Sequence, residues 1–452
     1  MGRTVFAARA ALLLCLVVAL LAAPASAQEV AGERHWVGTW GTAVTVPGTG
    51  TSAPLSFDDQ TLRQIVHTSR RGSRLRVRLS NEFGSTPLVI DEAHVALVDP
   101  DGTDGAIVPA SDRRLTFSGR SSVTIPAHAP ALSDPVSLDL PARSNLAISI
   151  HLPEPTTGTT VHGSAFQTNY VAAGNVTGET TITSTATTTS WYFLSGVRVL
   201  APRSAGSVVT LGDSITDGAV TTTDANQRWP DHLARRFGTV SGLAGLGVVN
   251  VGIGGNRILH DALGLRPYGP LFGQSALGRL DRDVLAQPGA RFVTVLEGIN
   301  DIGHPTSGDA PPSEAVTAED LIAGHEQIIE RAHELGLKVF GATLTPYEGT
   351  VFPGYYTAAG EAKREALNEW IRTSGEYDGV IDFDAAVRDP EHPTRILPAY
   401  DSGDHLHPND AGMAAMARAV PLSLFRGRQA APSRAARRSG HHGNHRAAVG
   451  QR

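Results

Sequence analysis

One serine of this sequence stands where a nucleophile is expected. The stretch VVTLGDSITDG, residues 208–218, runs from an apolar, strand-like segment through Gly212 and Asp213 to Ser214. A serine hydroxyl is a weak nucleophile near neutral pH and needs an adjacent base to take its proton as it attacks. A surface serine needs no buried strand before it, so this setting favours a reactive serine. A serine that only caps a helix is the alternative.

A candidate base and its partner lie near the C-terminus, in the stretch DHLHP, residues 404–408. An imidazole can accept a proton from a serine hydroxyl near neutral pH, which makes His407 the candidate base. Asp404 would hold that imidazole in one tautomer and stabilise its charged form. Asp401 and His405 are rivals for the two roles, and His407 taken alone could equally be a structural histidine.

Strands and helices alternate in the second half of the sequence. Predicted strands span 208–211, 248–251, 292–296, 339–344 and 380–383, and predicted helices span 229–237, 277–285, 318–335, 361–372 and 411–420. This alternation predicts a parallel sheet covered on both faces, which binds ligands at the carboxyl ends of its strands. Polar or glycine-rich stretches follow strands one, two, three and five, at Ser214, 250–256, 298–301 and 404–408.

These four stretches resemble the conserved blocks of the SGNH hydrolases, also called the GDSL esterase and lipase family. Gly212-Asp213-Ser214-Ile215 is similar to the first block, with isoleucine where the family name has leucine; the glycine, asparagine and Asp-x-x-His blocks correspond to 250–255, 298–301 and 404–407. One Gly-Asp-Ser alone would be weak support, whereas four blocks in order are specific. The resemblance covers about the second half of the chain and implies an α/β fold with a flavodoxin-like, doubly wound parallel sheet.

The resemblance also implies a role for each of five residues. The nucleophile, its base and the partner of that base are Ser214, His407 and Asp404. The oxyanion of an attacked ester would be stabilised by two backbone N–H groups and one side-chain amide, those of Ser214, Gly255 and Asn300. The reaction implied is ester hydrolysis through an acyl-enzyme, without a cofactor and without a metal ion.

Neighbouring residues leave alternatives open. Gly255 is chosen because the family's glycine stands five residues after the asparagine of its block, and Gly252 or Gly254 are second choices. Asp213 is interpreted as a structural turn residue. Asp301 is expected to brace the asparagine loop by hydrogen bonds.

The first half of the sequence has a β pattern. Residues 74–79 alternate strictly between arginine and aliphatic residues, which places one face in a core. Further predicted strands are 88–90, 122–125, 136–140 and 146–150. These short strands predict an all-β sandwich of jelly-roll type over 31–200. A linker at 202–206 would join it to a catalytic domain over 205–425.

Both ends of the chain are expected to lie outside the folded domains. Residues 1–27 have the basic start, apolar run and small-residue cleavage site of a secretory signal peptide, so we expect a secreted, extracellular protein. A retained membrane anchor is the alternative. Residues 427–452 contain six arginines and no acidic residue, and are interpreted as a disordered basic tail.

Charge and cysteine content exclude several functions. The chain carries a net charge of −6; without the two arginines of the signal peptide and the six of the tail, the remaining body carries −14. An acidic body does not suit a nucleic-acid partner. The only cysteine, Cys15, lies in the predicted signal peptide, so the mature protein would have neither thiol catalysis nor zinc–thiolate sites.

The substrate is the least determined part of the interpretation. The segments 257–278 and 347–356 contain aromatic residues and should overhang the site. Their rings could either stack on sugar rings or pack against an acyl chain. An accessory β-domain also precedes the catalytic domain in some secreted carbohydrate esterases of this family. We therefore expect deacetylation of a polysaccharide. Lipid or small-ester hydrolysis, acyl transfer, and polysaccharide binding with a vestigial catalytic domain are the alternatives.

Overall fold

The computed structural model describes residues 34–50, 54–262 and 264–426. The predicted signal peptide, Cys15 and the basic tail lie outside these residues. Among the helices of the described part, none has both the length and the apolar character needed to cross a bilayer.

Two antiparallel sheets make up most of the first half of the chain. The first has the strand order β1 (Arg34–Gly41), β17 (Leu194–Pro202), β4 (Gly72–Ser80) and β10 (Val136–Leu140), with β9 (Pro130–Leu132) also paired to β4. The second has the order β15 (Ala186–Thr188), β14 (Asn169–Ala173), β3 (Gln60–His67), β11 (Asn145–Leu152), β6 (Glu92–Leu97) and β7 (Arg113–Arg114). Short pairs are β2 (Ser56–Phe57) with β12 (Thr156–Thr157), β5 (Leu88–Ile90) with β8 (Val123–Ile125), and β13 (Val161–His162) with β16 (Trp191–Tyr192). The prediction of an all-β sandwich is confirmed.

Strand β4 shows why these residues form a sandwich. Its aliphatic residues Leu75, Val77 and Leu79 are fully buried, whereas the intervening arginines are partly or fully exposed. Since successive side chains of a strand point to opposite faces, the alternation places all three aliphatics in one core. Burying each of them contributes roughly 1.5–3 kcal/mol.

The second half of the chain contains a five-stranded parallel sheet. Its strands in spatial order are β19 (Leu246–Gly252), β18 (Gly206–Gly212), β20 (Ala290–Leu296), β21 (Lys338–Ala342) and β22 (Gly379–Ile381). The helices are α1 (Ser214–Asp217), α2 (Trp229–Gly238), α3 (Ala276–Leu280), α4 (Ile299–Ser307), α5 (Ala318–Glu334), α6 (Ala358–Thr373), α7 (Phe383–Val387) and α8 (Asp410–Ala419). In chain order the strands are arranged 2-1-3-4-5, the flavodoxin-like order, so the predicted fold class is confirmed.

Three local predictions were wrong. The helix predicted over 277–285 is α3 followed by a π-helical turn at Asp281–Leu285. The strand predicted to reach Phe383 ends at Ile381, because Asp382 caps α7 by accepting the backbone N–H of Ala385. The asparagine block, predicted as a loop, forms the first turns of α4, which tolerates Pro305 in its interior.

The two halves are joined by a short connection and pack closely. Strand β17 ends at Pro202 and β18 begins at Gly206, with Ala205 buried between them. Strand β1 lies against β19, and the backbone N–H of Gly38 donates to the Pro288 carbonyl at 2.9 Å. A Cβ on Gly38 would come within 2.6 Å of the Val249 side chain. Glycine is therefore required for this close approach.

Candidate active site

The serine predicted as nucleophile lies directly after the carboxyl end of β18. Asp213 caps the one-turn helix α1 by accepting the backbone N–H of Ile215 at 2.9 Å, so the structural role expected for this aspartate is confirmed. A Cβ on Gly212 would lie 2.1 Å from the Thr216 hydroxyl, so only glycine permits this sharp turn from strand to helix. The turn places Ser214 as the first residue of the helix, at the edge where ligands bind in such sheets.

A chain of hydrogen bonds joins Ser214 to two residues nearly two hundred positions away. His407 Nε2 lies 2.8 Å from Ser214 Oγ, and His407 Nδ1 lies 2.6 Å from Asp404 Oδ2. The other carboxylate oxygen of Asp404 accepts the backbone N–H groups of Leu406 and His407 at 2.9 and 2.8 Å. The structure thus brings together all three residues predicted for nucleophilic attack.

The carboxylate of Asp404 determines which imidazole nitrogen is free. Burial alone would raise the pKa of Asp404, but the hydrogen bond and charge of His407 lower this pKa well below its usual range. The group is therefore ionised at neutral pH and accepts the proton on Nδ1. Nε2 of the neutral imidazole is then left to accept the proton of the Ser214 hydroxyl.

The rival pair lies apart from the serine. His405 Nδ1 is bonded to the Asp401 carboxylate, and the side chain of His405 is 48% exposed. Neither residue borders the cleft that contains Ser214. The geometry therefore favours Asp404 and His407.

Hydrogen bonding distinguishes among the three candidate glycines. The N–H of Gly252 donates to Asn250 Oδ1 at 2.9 Å, and that of Gly254 donates to Asp217 Oδ2 at 3.2 Å. Within the described part of the chain, the N–H of Gly255 has no such partner. Only Gly255 therefore keeps its amide free for a ligand.

Gly255 also needs to be a glycine. Its φ of +76° is a conformation that L side chains rarely adopt, and a Cβ there would come within 2.2 Å of the Phe272 ring. The backbone N–H of Ser214, at the start of α1, likewise has no acceptor among the described residues. Two unpaired amides thus border one cleft.

Both the nitrogen and the oxygen of the Asn300 side-chain amide are hydrogen-bonded. Its Nδ2 donates to the Asn256 carbonyl at 2.9 Å, and its Oδ1 accepts the hydroxyl of buried Tyr355 at 2.7 Å. These bonds fix the amide plane and leave one N–H of Nδ2 available. From the sequence, Tyr355 is only one aromatic residue of the segment 347–356, and no pattern indicates this contact.

A buried arginine, Arg279, holds together the ends of the strands around the site. The guanidinium of Arg279 donates to the carbonyls of Val251 and Gly212 at 2.7 and 3.3 Å and lies 3.4 Å from the Glu297 carboxylate. Burial raises the pKa of Glu297 well above its usual value. Because these contacts join β18, β19 and β20, Arg279 locks together the three strands that carry the site. The sequence analysis did not identify this residue.

Asp301 holds the segment that carries Asn300 by hydrogen bonds, as expected, and its partners lie after the glycine block. Its two carboxylate oxygens accept the backbone N–H groups of Ile258 and Leu259 at 2.8 and 3.1 Å. Burial raises the pKa of Asp301 to about 6, against the opposing effect of these bonds. The carboxyl group thus ties α4 to the segment that follows the glycine block.

The cleft above Ser214 has a volume of about 370 Å³, and four aromatic rings line part of it. As predicted, the segments 257–278 and 347–356 overhang it; they contribute Tyr268, Leu271, Phe272, Phe352 and Tyr355. Three further lining residues, His162, Gly163 and Ser164, come from the N-terminal half and were not predicted.

His304 is a neutral, polar residue that packs against two of these aromatic rings. Its ring stacks on Phe272 with centroids 5.1 Å apart and meets Tyr355 edge-on at 5.9 Å. Burial lowers the pKa of His304 to about 4. The imidazole is therefore uncharged at neutral pH and can exchange hydrogen bonds with a bound hydroxyl.

The buried imidazole makes stability depend on pH. Because the pKa of His304 is lowered from 6.5 to about 4, the unfolded chain binds a proton in this window that the folded protein does not. The free energy of unfolding of the wild type, minus that of His304→Gln, should therefore fall by up to about 3 kcal/mol from pH 7 to pH 4. Urea unfolding at several pH values measures this difference. Between pH 7 and 8 this difference between the two proteins should stay constant. If it also stayed constant between pH 6.5 and 4, the expectation would be contradicted.

No group of three or more metal-ligating side chains is arranged to hold a metal ion in the described part of the chain. The polar groups of the site instead form a hydroxyl–imidazole–carboxylate chain beside two free backbone amides and one oriented side-chain amide. At the carboxyl edge of a parallel sheet, this is the geometry of a serine hydrolase site.

Comparison with known proteins identifies the family. Residues 210–415 match the model of the GDSL-like Lipase/Acylhydrolase family, and this part of the chain is a domain of that family. The protein is therefore a carboxylic ester hydrolase. No protein of curated function matches the sequence.

Several solved structures resemble about half of the chain. One is an acetylxylan esterase from Geobacillus stearothermophilus, with 19% identity over 50% of this chain and 98% of that chain, and a TM-score of 0.36. Another, described as a lipolytic protein of the G-D-S-L family, is from Desulfitobacterium hafniense DCB-2, with 21% identity over 47% of this chain and 96% of that chain, and a TM-score of 0.34. Identities this low say nothing about the substrate of this chain.

Proposed function

We propose that this ester hydrolase is a secreted enzyme that removes acetyl groups from a polysaccharide, with Ser214 as the nucleophile. The observation that carries the mechanism is the hydrogen-bonded chain from Ser214 Oγ through His407 to Asp404. Secretion is proposed from the signal-like sequence of residues 1–27.

In the first half of the reaction, Ser214 Oγ attacks the ester carbonyl carbon while His407 Nε2 takes the hydroxyl proton. The charge on the resulting imidazolium is stabilised by Asp404 at Nδ1. When the tetrahedral intermediate collapses, the bond to the alcohol oxygen breaks and His407 returns its proton to that oxygen. The alcohol leaves and the acyl group remains on Ser214.

The negative charge that develops on the carbonyl oxygen is met by three donors: the N–H groups of Ser214 and Gly255 and the side-chain amide of Asn300. The two amides are unpaired within the described residues and the third is held by Tyr355, so all three are oriented before the substrate binds. Such preorganised donors lower the barrier because they need no reorganisation as the charge forms.

In the second half, water replaces the alcohol. His407 removes a proton from a water molecule that attacks the acyl carbon, and the same oxyanion donors act again. The carboxylic acid leaves as His407 reprotonates Ser214 Oγ. The site returns to its starting state without any cofactor entering the balance.

The lining of the cleft favours a carbohydrate alcohol. Tyr268 and Phe352 are 41% and 42% exposed, which is typical of aromatic rings that stack on a ligand. In the same cleft, the neutral imidazole of His304 provides a hydrogen-bonding group for a hydroxyl, and the carboxylate of Asp309 also accepts from Tyr268 and Ser307. A lipid alcohol would offer no hydrogen bond to the buried imidazole of His304, which costs free energy.

The substrate proposal is tested by comparing esters. We expect higher kcat/KM on acetylated xylan than on p-nitrophenyl esters of long acyl chains, and an activity on p-nitrophenyl esters that falls as the chain lengthens. The measurement is initial rates of acid release across this panel. A preference for long chains would replace the polysaccharide proposal with a lipase.

A cleft variant sharpens this test. Tyr268→Ala should raise KM for acetylated xylan by about three- to tenfold, the loss of one stacking contact, while p-nitrophenyl acetate is hydrolysed almost as before. The matched control is Leu265→Ala, because Leu265 is a neighbouring exposed apolar residue outside the cleft lining. Equal effects of the two variants would argue against stacking on Tyr268.

A further inference from the structure

We propose that the N-terminal sandwich supplies a positioning residue, His162, to the ester-hydrolysing site. The inference rests on the proposed role of Gly255 as an oxyanion donor. His162 ends the short strand β13, and with Gly163 and Ser164 it borders the same cleft as Ser214. The sandwich is therefore part of the wall of the site.

Both ring nitrogens of His162 are bonded. Nε2 lies 3.0 Å from Asp217 Oδ1, and Nδ1 lies 2.8 Å from the backbone carbonyl of Ala43. The side chains of the histidine and the aspartate are only 3% and 5% exposed. The ring of Trp191 stacks on the imidazole with centroids 5.5 Å apart, which fixes its plane.

The chemistry of these partners defines the interaction. A carbonyl oxygen can only accept, so Nδ1 must carry a proton. An ionised carboxylate can also only accept, so the 3.0 Å contact requires a second proton between Nε2 and Asp217 Oδ1. Charge-assisted hydrogen bonds of this kind are shorter and stronger than neutral ones.

Asp217 connects His162 of the sandwich to the glycine-rich segment that contains Gly254 and Gly255. It is the last residue of α1, three positions after Ser214, and its Oδ2 accepts the N–H of Gly254 at 3.2 Å. Gly254 directly precedes Gly255. One carboxylate therefore links the histidine, the nucleophile helix and the backbone that presents the oxyanion amide.

Loss of the histidine would leave the Asp217 carboxylate with only one hydrogen-bond donor. Among the described residues, the only hydrogen bonds to the Asp217 carboxylate come from His162 and Gly254. A buried carboxylate that loses one of its two hydrogen-bond donors is destabilised and moves toward water or another donor. Either movement would displace Gly254, and with it the N–H of Gly255.

Two substitutions of the same histidine separate positioning from packing. His162→Gln places an amide N–H near the position of Nε2 and keeps a donor for Asp217, whereas His162→Asn keeps the donor for Ala43 and loses the one for Asp217. With p-nitrophenyl acetate, we expect His162→Asn to lower kcat by about tenfold to a hundredfold with KM little changed, because an oxyanion donor acts on the transition state. His162→Gln should retain kcat within about threefold.

The matched control is His35→Asn, which loses the donor at the position of Nε2. His35 Nε2 also bonds a backbone carbonyl across the two halves, that of Ala205, but this residue precedes β18 while Ser214 follows it. At about 3.3 Å per residue of strand, the two points lie roughly 20 Å apart. Loss of this contact should leave kcat unchanged while lowering the melting temperature.

Each outcome bears on the proposal. Equal losses of kcat in the Gln and Asn variants, or no loss in the Asn variant, would overturn it. If His162→Asn does not fold, Asp217→Asn weakens the same contact by replacing the carboxylate with a neutral amide, and should show the same fall in kcat at constant KM; normal kcat there would overturn the proposal too. Wild-type protein in which a fluorophosphonate fails to label Ser214 would instead contradict the proposed function itself.

Discussion

Replacement of Ser214 by alanine is expected to lower kcat for p-nitrophenyl acetate by about 10⁴–10⁶-fold. The substitution removes the only atom that can form the acyl-enzyme, and leaves just the catalysis that binding and the oxyanion donors provide. The fold should be unaffected, because the side chain of Ser214 makes its hydrogen bond to His407 at the cleft. Steady-state kinetics and fluorophosphonate labelling measure the two effects.

Two further variants make this result specific. Ser313→Ala, at an exposed serine of the same half of the chain, should retain both activity and labelling. His407→Ala should lose nearly as much activity as Ser214→Ala, and the double variant should lose no more than either, since the two groups act as one unit. Independent, multiplying losses would mean that the 2.8 Å contact is not part of the reaction.

The arrangement around Ser214 could be predicted because it follows from topology. Alternating strands and helices imply a parallel sheet, and in a parallel sheet the residues after each strand meet at one edge. Ser214 and Asn300 follow their strands closely, and His407 follows the last strand after α7 and a loop. Their convergence needs no knowledge of side-chain packing.

The choice of Gly255 over Gly254 shows the limit of such reasoning. Spacing within the family block favours Gly255, but nothing in the residue types says which amide is occupied. The structure answers through Asp217, which accepts the Gly254 N–H and leaves that of Gly255 unpaired. Whether a backbone group is free depends on a partner from another element.

The contacts that hold the site could not be predicted for the same reason. Tyr355, Arg279 and His162 each act through hydrogen bonds or ion pairs to distant segments. Tyrosines, arginines and histidines are common on surfaces and in cores alike. For His162 the contact also crosses from the sandwich to the catalytic half. A periodic pattern indicates which face of a strand is buried, but not what lies opposite.

Asn300→Ala should lower kcat by about 10²–10³-fold, with little change in KM, because it removes one of three proposed donors to the oxyanion. It should also cost stability, about 1–3 kcal/mol, since the Tyr355 hydroxyl and the Asn256 carbonyl lose their buried partner. Kinetics with p-nitrophenyl acetate give the first quantity and urea unfolding gives the second.

Asn368→Ala separates the two effects. Asn368 is also a buried asparagine with two hydrogen bonds, to the N–H and carbonyl of Leu344, but it lies on α6 outside the cleft lining. It should lose similar stability and keep kcat. Tyr355→Phe should lie between them, because the amide of Asn300 remains but is no longer held in one orientation. If Asn300→Ala keeps wild-type turnover, the oxyanion is stabilised by the Ser214 and Gly255 amides alone.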